Sequence, residues 1–343
     1  MELELPENLR TAAPPRGREA WLAALPGLLA AARERLELDW VGAPFQPGGM
    51  TAWVAPVQSA VHGEAVLKLA CRHEEAQDEA AGLVAWQGDG AVRLYHAEQV
   101  DRQTSVLLLE RCKPGGWLLH EPPRRQDEVI ARLLTHLWIE PPAQASFRPL
   151  SALCDLWAEG CERWAQDPRA KAGNDAKAGD DAKQLDPGLI RARIELFRAL
   201  PREAAEQRLL CTDLHAENVL AAQREPWLMV DPKPYVGDPS FDVLQHILNG
   251  AARFGREPRA LCQRMAALTG QDPRRVELWL FARCVAGAPH WPELLEVAAA
   301  VAPAQRRSPT GVGSSASANS VATSATRSPA PVDCTPSSSI TVQ

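Results

Sequence analysis

The 343-residue chain has no excess of positive charge: 37 Lys and Arg stand against 43 Asp and Glu, a formal net charge of −6. That balance gives no global electrostatic reason to bind nucleic acid or an anionic membrane, so neither is expected as a partner. No uninterrupted apolar run approaches the roughly 20 residues of a membrane span. The N-terminus, Met1-Glu2-Leu3-Glu4-Leu5-Pro6, is acidic and lacks the apolar segment of a signal peptide. Eight cysteines are present without a single C-x-x-C pair, which argues against a zinc knuckle or a small disulfide scaffold. They read as small apolar residues in a reducing compartment. A soluble cytoplasmic protein is expected. The chain also has neither a G-x-G-x-x-G nor a Walker A sequence, so a nucleotide would need a different cradle.

With 45% hydrophobic residues, the chain can fill one large domain or two lobes. The apolar spacing predicts a first helix over 18–36, with Pro26 kinking or splitting it. Short β-like runs follow at 51–57, 65–70, 91–95 and 105–110. A helical stretch, His73 to Trp86, lies between the second and the third. This β, β, α, β, β order suits a small, mostly antiparallel sheet with one packed helix. After Pro114-Gly115-Gly116, a candidate hinge, the pattern turns helical, with helices expected near 124–138, 150–165, 187–199, 239–253, 257–268, 273–287 and 292–302. The class is therefore α+β, with a β-rich lobe over 1–112 and a helical lobe over 113–303. Residues 166–186 carry a short imperfect repeat of small and charged residues and read as a solvated insertion. Residues 304–343 are rich in Ser, Thr, Ala, Pro and Gly and read as a disordered tail.

The chemistry concentrates in one region. Asp213 follows an apolar run, Asn218 lies five residues on, and Asp231 thirteen beyond that. A phosphotransferase needs such a set: one carboxylate to accept the proton of an attacking hydroxyl, an amide oxygen and a second carboxylate to hold magnesium. Val219-Leu220 and Trp227–Val230 read as a hairpin around a turn at 222–226, which brings Asn218 and Asp231 together. Upstream, Lys68 lies inside an apolar strand and must find a partner, since an unpaired buried charge is costly. Phosphate oxygens and a helix carboxylate would serve, with Glu79 preferred and Glu75 second. Gly48 and Gly49 sit in a loop before the first clear strand, where backbone N–H groups could meet phosphates. A plain turn is an equal reading. Asp213 also fits a helix N-cap, Asn218 a turn and Lys68 the wet face of a strand.

Together these residues resemble the aminoglycoside phosphotransferase family, in its streptomycin 6-kinase and hydroxyurea phosphotransferase branch. The resemblance spans about residues 17–303. It is most specific at Asn218–Leu228 and at Asp231-Pro232-Lys233-Pro234-Tyr235-Val236-Gly237-Asp238-Pro239. It implies a bilobal protein-kinase-like fold, ATP and Mg2+ as cofactors, and phosphorylation of a hydroxyl on a small molecule. Carried over, Asp213 is the catalytic base, Asn218 and Asp231 are magnesium ligands, and Lys68 pairs with phosphate and Glu79. The stretch 107–116, including Glu110 and Cys112, becomes the adenine hinge. An aminoglycoside acceptor is cationic, so Asp238, Asp242, Glu293 and Glu296 become candidate substrate carboxylates. The reading takes the protein to be a monomer. One departure stands out: the family reads His-Gly-Asp where this chain has Cys211-Thr212-Asp213, and a β-branched Thr resists backbone geometry that Gly permits. A nucleotide-binding pseudokinase and a housekeeping metabolite kinase therefore remain as alternatives.

Overall fold

A computed structural model describes residues 4–11, 18–74, 76–166, 186–249, 257–288 and 291–303. Glu75, nearly all of the expected insertion and the expected tail lie outside the described residues. A five-stranded antiparallel sheet has the order β1-β2-β3-β5-β4. Its strands are β1 (Leu38–Trp40), β2 (Ala52–Ser59), β3 (Gly63–Cys71), β4 (Leu94–Gln99) and β5 (Thr104–Glu110). Helices α1 (Glu7–Thr11) and α2 (Arg18–Arg35) precede it, and α3 (Glu79–Trp86) is inserted between β3 and β4. Pro26 sits inside α2 without splitting it. The fourth strand begins later than 91, because Ala91 and Val92 instead bridge to Met229. The helix expected from His73 starts only at Glu79.

The two-residue period of the strands divides the sheet into two faces. Leu67, Leu69, Val106 and Leu108 point to one side and pack against Trp21, Leu25 and Leu29 of α2. Burying each of those large α2 side chains contributes about 1.5–3 kcal/mol. Leu107 and Leu109 point to the other side, into the core that holds Leu83 and Trp86 of α3, with Val66 packed against it. Lys68 lies between Val66 and the following residues on that second face, paired across the sheet with Val54 and Leu107. It is therefore turned toward the rest of the molecule and not toward solvent.

The remaining described residues are mainly helical: α4 (Pro123–Leu137), α5 (Leu150–Gln166), α6 (Pro187–Ala199), α7 (Pro239–Asp242), α8 (Leu244–Asn249), α9 (Pro258–Thr269), α10 (Pro273–Gly287) and α11 (Leu294–Val301). Asp272 caps α10 by accepting from Arg274 N, with Pro273 in the first turn, as the Asp-Pro pair suggests. The Trp86 indole donates to Leu137 O at 2.8 Å and ties α3 to α4. Two short hairpin-like pairs, β6 (Arg208–Leu210) with β9 (Tyr235–Gly237) and β7 (Val219–Ala221) with β8 (Trp227–Met229), complete the fold. The segment after β5 is stitched onto β7: Gly115 N donates to Ala221 O, and Ala221 N to Gly116 O. An antiparallel sheet with an inserted helix, followed by a helical region, agrees with the expected α+β arrangement.

Candidate functional site

Nested pairing builds the site. The outer pair places Leu210 opposite Tyr235, and the inner pair places Val219 opposite Met229. The loops 211–218 and 230–234 must then lie side by side. Val230 N donates to Asn218 O, and Lys233 N donates to Cys211 O. Asp213, Asn218, Asp231 and Lys233 are thereby gathered at one end of the hairpins.

Lys68 and Glu79 complete the cluster from the sheet side. Lys68 Nζ lies 2.7 and 2.8 Å from the two Glu79 oxygens and 2.6 Å from Asp231 Oδ1. Burial opposes the charge on Lys68, but Asp231 and Glu79 outweigh it and raise its pKa. Burial likewise works against the Asp231 carboxylate, yet Lys233 and Lys68 hold it well below the usual range. Helix α3 is set in place by close contact at Gly82, where an added Cβ would lie 2.3 Å from Pro234 Cγ and 2.8 Å from the Trp86 ring. A proline ring cannot swing away. Gly82→Ala is therefore expected to push α3 off the 231–234 loop and lower stability by about 1–3 kcal/mol. A denaturant titration checks the stability loss. A crystal structure of the variant checks the displacement of Glu79.

Sequence reasoning missed Lys233. Its Nζ lies 2.6 Å from Asp213 Oδ2 and 3.3 Å from Asp231 Oδ2, so one ammonium bridges both carboxylates. Its pKa is raised far above the usual lysine range: burial opposes this, but Asp231 and Asp213 prevail. The available signal was a Lys held between Pro232 and Pro234 just after a candidate ligand. Prolines on both sides restrict the backbone, which is unusual for a lysine that merely meets solvent.

Asp213 is 4% exposed. Its Oδ2 takes Lys233, and Asn218 Nδ2 lies 2.9 Å from its backbone oxygen. Its Oδ1 is buried without any hydrogen-bond donor. That is an open acceptor atom, which is the placement a general base requires. Because the Asn218 nitrogen faces Asp213, its carbonyl oxygen is the atom left to meet a cation.

His215 Nε2 stands 4.0 Å from Asp213 Oδ1, and its Nδ1 is buried without a partner. Burial lowers its pKa to about 4, with Asp213 pulling the other way and Lys233 reinforcing the drop. The imidazole is thus neutral near pH 7. In the unfolded chain it would take up a proton below about 6.5. This group's contribution to stability is accordingly full above that pH and lost as pH falls toward 4. The linked loss is about 2–3 kcal/mol. Unfolding midpoints at pH 7 and pH 4.5 check it, and His215→Gln is expected to flatten that part of the acid slope.

Thr212 adopts the left-handed region, φ 49°, which costs a residue with a Cβ about 1–2 kcal/mol. Three contacts hold it there: Thr212 N donates to Asp242 Oδ1, Cys211 N donates to Asp242 Oδ2, and the Thr212 hydroxyl donates to Lys233 O. The position that favours glycine is thus tolerated by bracing. The Cys211 thiol is fully buried, and burial pushes it well above its ordinary pKa.

Not every expected residue joins the cluster. Asp242 accepts from two backbone N–H groups and from Trp138 Nε1, and it is completely buried. Burial raises its pKa to about 6 against those donors. Asp238 accepts from Ser240 N, Arg275 Nε and Trp279 Nε1. Both carboxylates brace the protein from within, which corrects the expectation that they face a substrate. Glu293 and Glu296 are exposed on or beside α11. Gly48 packs against the N-terminal segment: an added Cβ would lie 2.4 Å from Pro6, and its carbonyl accepts from Asn8 Nδ2. A Cβ at Gly49 would make only ordinary contact, 3.7 Å from Ala52 O, and further along the loop the Thr51 hydroxyl is 3.1 Å from His73 Nε2. The Glu110 carboxylate is clamped by Arg224 through Nε and Nη2 at 3.0 and 2.9 Å. Burial raises the Cys112 thiol to about 12, so it stays protonated.

Among the described residues, no three His, Cys, Asp or Glu side chains form a group that could hold a metal ion. The donor set does fit magnesium, which typically takes one or two protein ligands and completes its shell with water and substrate phosphates. No described helix is long and apolar enough to cross a membrane.

Residues 43–294 match the family described as aminoglycoside/hydroxyurea antibiotic resistance kinase. Hydroxyurea phosphotransferase of Kitasatospora aureofaciens is 38% identical over 274 residues, covering 78% of this chain and 73% of that protein. Streptomycin 6-kinase of Streptomyces griseus is 35% identical over 271 residues, covering 77% and 82%. A solved structure of spectinomycin phosphotransferase with ADP and spectinomycin shares the fold, with a TM-score of 0.50 at 13% identity over 79% of this chain and 88% of that one.

Proposed function

Because the chain belongs to the aminoglycoside/hydroxyurea antibiotic resistance kinase family, we propose that it transfers the γ-phosphoryl group of ATP to a hydroxyl of a small-molecule antibiotic and so confers resistance. The acceptor belongs to one of the two classes for which its relatives are named, an aminoglycoside such as streptomycin or hydroxyurea. The observation that carries this reading is the unpartnered Oδ1 of Asp213 beside a lysine-bridged pair of carboxylates.

In this reading Asp213 is the base. It orients the acceptor hydroxyl through Oδ1 and takes its proton as the oxygen attacks phosphorus. Lys68, steadied by Glu79, holds nucleotide phosphates. Asn218 and Asp231 would hold magnesium, which supplies neutralisation of phosphate charge. Lys233 keeps the Asp213 carboxylate in place and provides a second positive charge where negative charge gathers. Glu110 and Cys112 lie on the stretch assigned to the adenine. The residues contribute chiefly positioning and electrostatics, as expected when the transferred group does most of its own chemistry. Asp242 acts through the backbone of residues 211 and 212 and is a positioning residue.

The pseudokinase alternative rests on Cys211-Thr212; the bracing of that turn by Asp242 and Lys233 supports the kinase reading over it. The test is incubation of the purified protein with ATP and magnesium in the presence of streptomycin or hydroxyurea. Formation of a phosphorylated acceptor, detected by mass spectrometry, is expected. ATP binding with no transfer to any hydroxyl compound would favour the pseudokinase reading instead.

A further inference from the structure

Helix α3 is too short to set its own position. An isolated helix of fewer than about 12–15 residues is marginal in water, and α3 has eight. Three of its fixings come from chain beyond β5. Gly82 abuts Pro234 in the middle of the helix, and the Trp86 indole reaches Leu137 O at its end. The third acts at the start of the helix. Arg148 Nε lies 2.7 Å from Asp78 Oδ2, and Arg148 Nη1 lies 2.6 Å from Glu74 O.

We propose that Arg148 is a positioning residue for nucleotide binding: it docks the first turn of α3 against β9 and so holds Glu79 on Lys68. The proposal rests on the kinase reading above and deepens it, since Lys68 is the residue assigned there to the nucleotide phosphates. Three observations carry it.

The first is the bond that Asp78 forgoes. Asp78 occupies the N-cap position of α3, where an aspartate ordinarily accepts from a backbone N–H of the first turn. Here its side chain makes no such bond and takes Arg148 instead. A carboxylate placed to cap the helix is used to tie it to a distant part of the chain.

The second is the stiffness of the anchor. Arg148 O accepts from Val236 N, and Pro149 bridges to Val236, so the backbone at 148–149 runs beside β9. The guanidinium lies over the buried Tyr235 ring, 4.5 Å from its centroid. Stacking on a ring face fixes the plane of the guanidinium and hence the direction of its N–H groups. The Arg148 and Asp78 side chains are only 21% and 12% exposed, unlike the solvated surface pairs that contribute little. Strand β9 directly follows the loop that carries Asp231 and Lys233, so α3 is registered to the same loop as the rest of the site.

The third is the place of Glu79. It follows Asp78 directly, and both of its oxygens take Lys68 Nζ, at 2.7 and 2.8 Å. Lys68 also reaches Asp231, at 2.6 Å. Glu79 and Lys68 are both buried, so solvent does not replace a lost partner. When the first turn of α3 shifts, Lys68 is left leaning on Asp231 alone, away from the point where it meets phosphate.

The experiment measures the affinity of the full-length protein for a fluorescent ADP analogue in the presence of magnesium, a readout that needs no acceptor. Wild type, Arg148→Met, Glu79→Gln and the double variant are compared, with unfolding midpoints to establish that each is folded. Arg148→Met and Glu79→Gln are each expected to weaken binding about tenfold. The double variant is expected to bind within about twofold of Glu79→Gln, because residues that act through one contact are not additive. A merely structural role for Arg148 would instead multiply the two losses. Arg148→Lys keeps the charge but cannot fork between Asp78 and Glu74, so an intermediate loss is expected, again vanishing in the Glu79→Gln background; it serves in place of Arg148→Met if that variant does not fold. Binding by the Arg148 variants within twofold of the wild type, or losses that multiply in the double variant, overturns the positioning role and leaves the kinase reading standing. A wild type that binds no nucleotide overturns both.

Discussion

Asp213→Asn is expected to lower kcat for phosphoryl transfer about 10²–10⁴-fold, the usual range for loss of a positioned general base, and to leave KM for ATP nearly unchanged. The substitution preserves shape and removes basicity. It also separates two roles for the residue. The short turn at Ala216–Asn218 has His215 at its N-cap; as a cap of a following turn, Asp213 would be replaced by Asn almost without effect, since both residues cap equally well. As a base it would not, because a neutral amide cannot take the proton of the acceptor hydroxyl. The buried and unpartnered Oδ1 favours the second role: a cap would use that oxygen on a backbone N–H. Initial rates at saturating ATP and magnesium, with unfolding midpoints measured alongside, separate the catalytic loss from any structural one.

Lys233→Met is expected to lower kcat about 10²–10³-fold, the scale for removing one donor to developing negative charge. Its ammonium links the proposed base to a proposed magnesium ligand, 2.6 Å from Asp213 and 3.3 Å from Asp231. Stability should fall as well. Asp213 is buried, and removing one partner of a buried pair costs about 3–5 kcal/mol; the cost on the Asp231 side is smaller, since that carboxylate is 42% exposed. Lys233→Arg separates the two effects. It keeps the charge, and so much of the stability, but a planar fork cannot place its donors as an ammonium does. Near-wild-type unfolding with a kcat still reduced at least tenfold is the expected result. Full activity in Lys233→Arg would assign Lys233 a role as charge alone.

The elements most legible in the sequence were those whose signal is local. The alternation around Lys68 placed it in a strand, and its isolation among apolar residues announced a partner, which is Glu79 together with Asp231. The hairpin between Asn218 and Asp231 could be read from two short apolar runs around a turn, and the two runs do pair, with Val219 opposite Met229. What escaped was set by distant parts of the chain. Asp238 and Asp242 looked available because Arg275, Trp279 and Trp138 lie far from them in sequence. The run at 91–95 looked like a sheet strand, yet Ala91 and Val92 pair with Met229 across the fold. Gly82 gave no sign that Pro234 would be its neighbour. Lys233 was overlooked because a lysine in a proline-rich loop resembles a solvated one until both hairpins close around it.

Asp213 as the base is the central claim, and phosphorus NMR of one reaction series tests it most directly. Wild type, Asp213→Asn and Lys233→Arg are each mixed with ATP, magnesium and a hydroxyl acceptor, and the appearance of a phosphorylated acceptor is timed. The account predicts product from the wild type, slower product from Lys233→Arg, and little or none from Asp213→Asn although that variant binds ATP. Product from Asp213→Asn at the wild-type rate would contradict it.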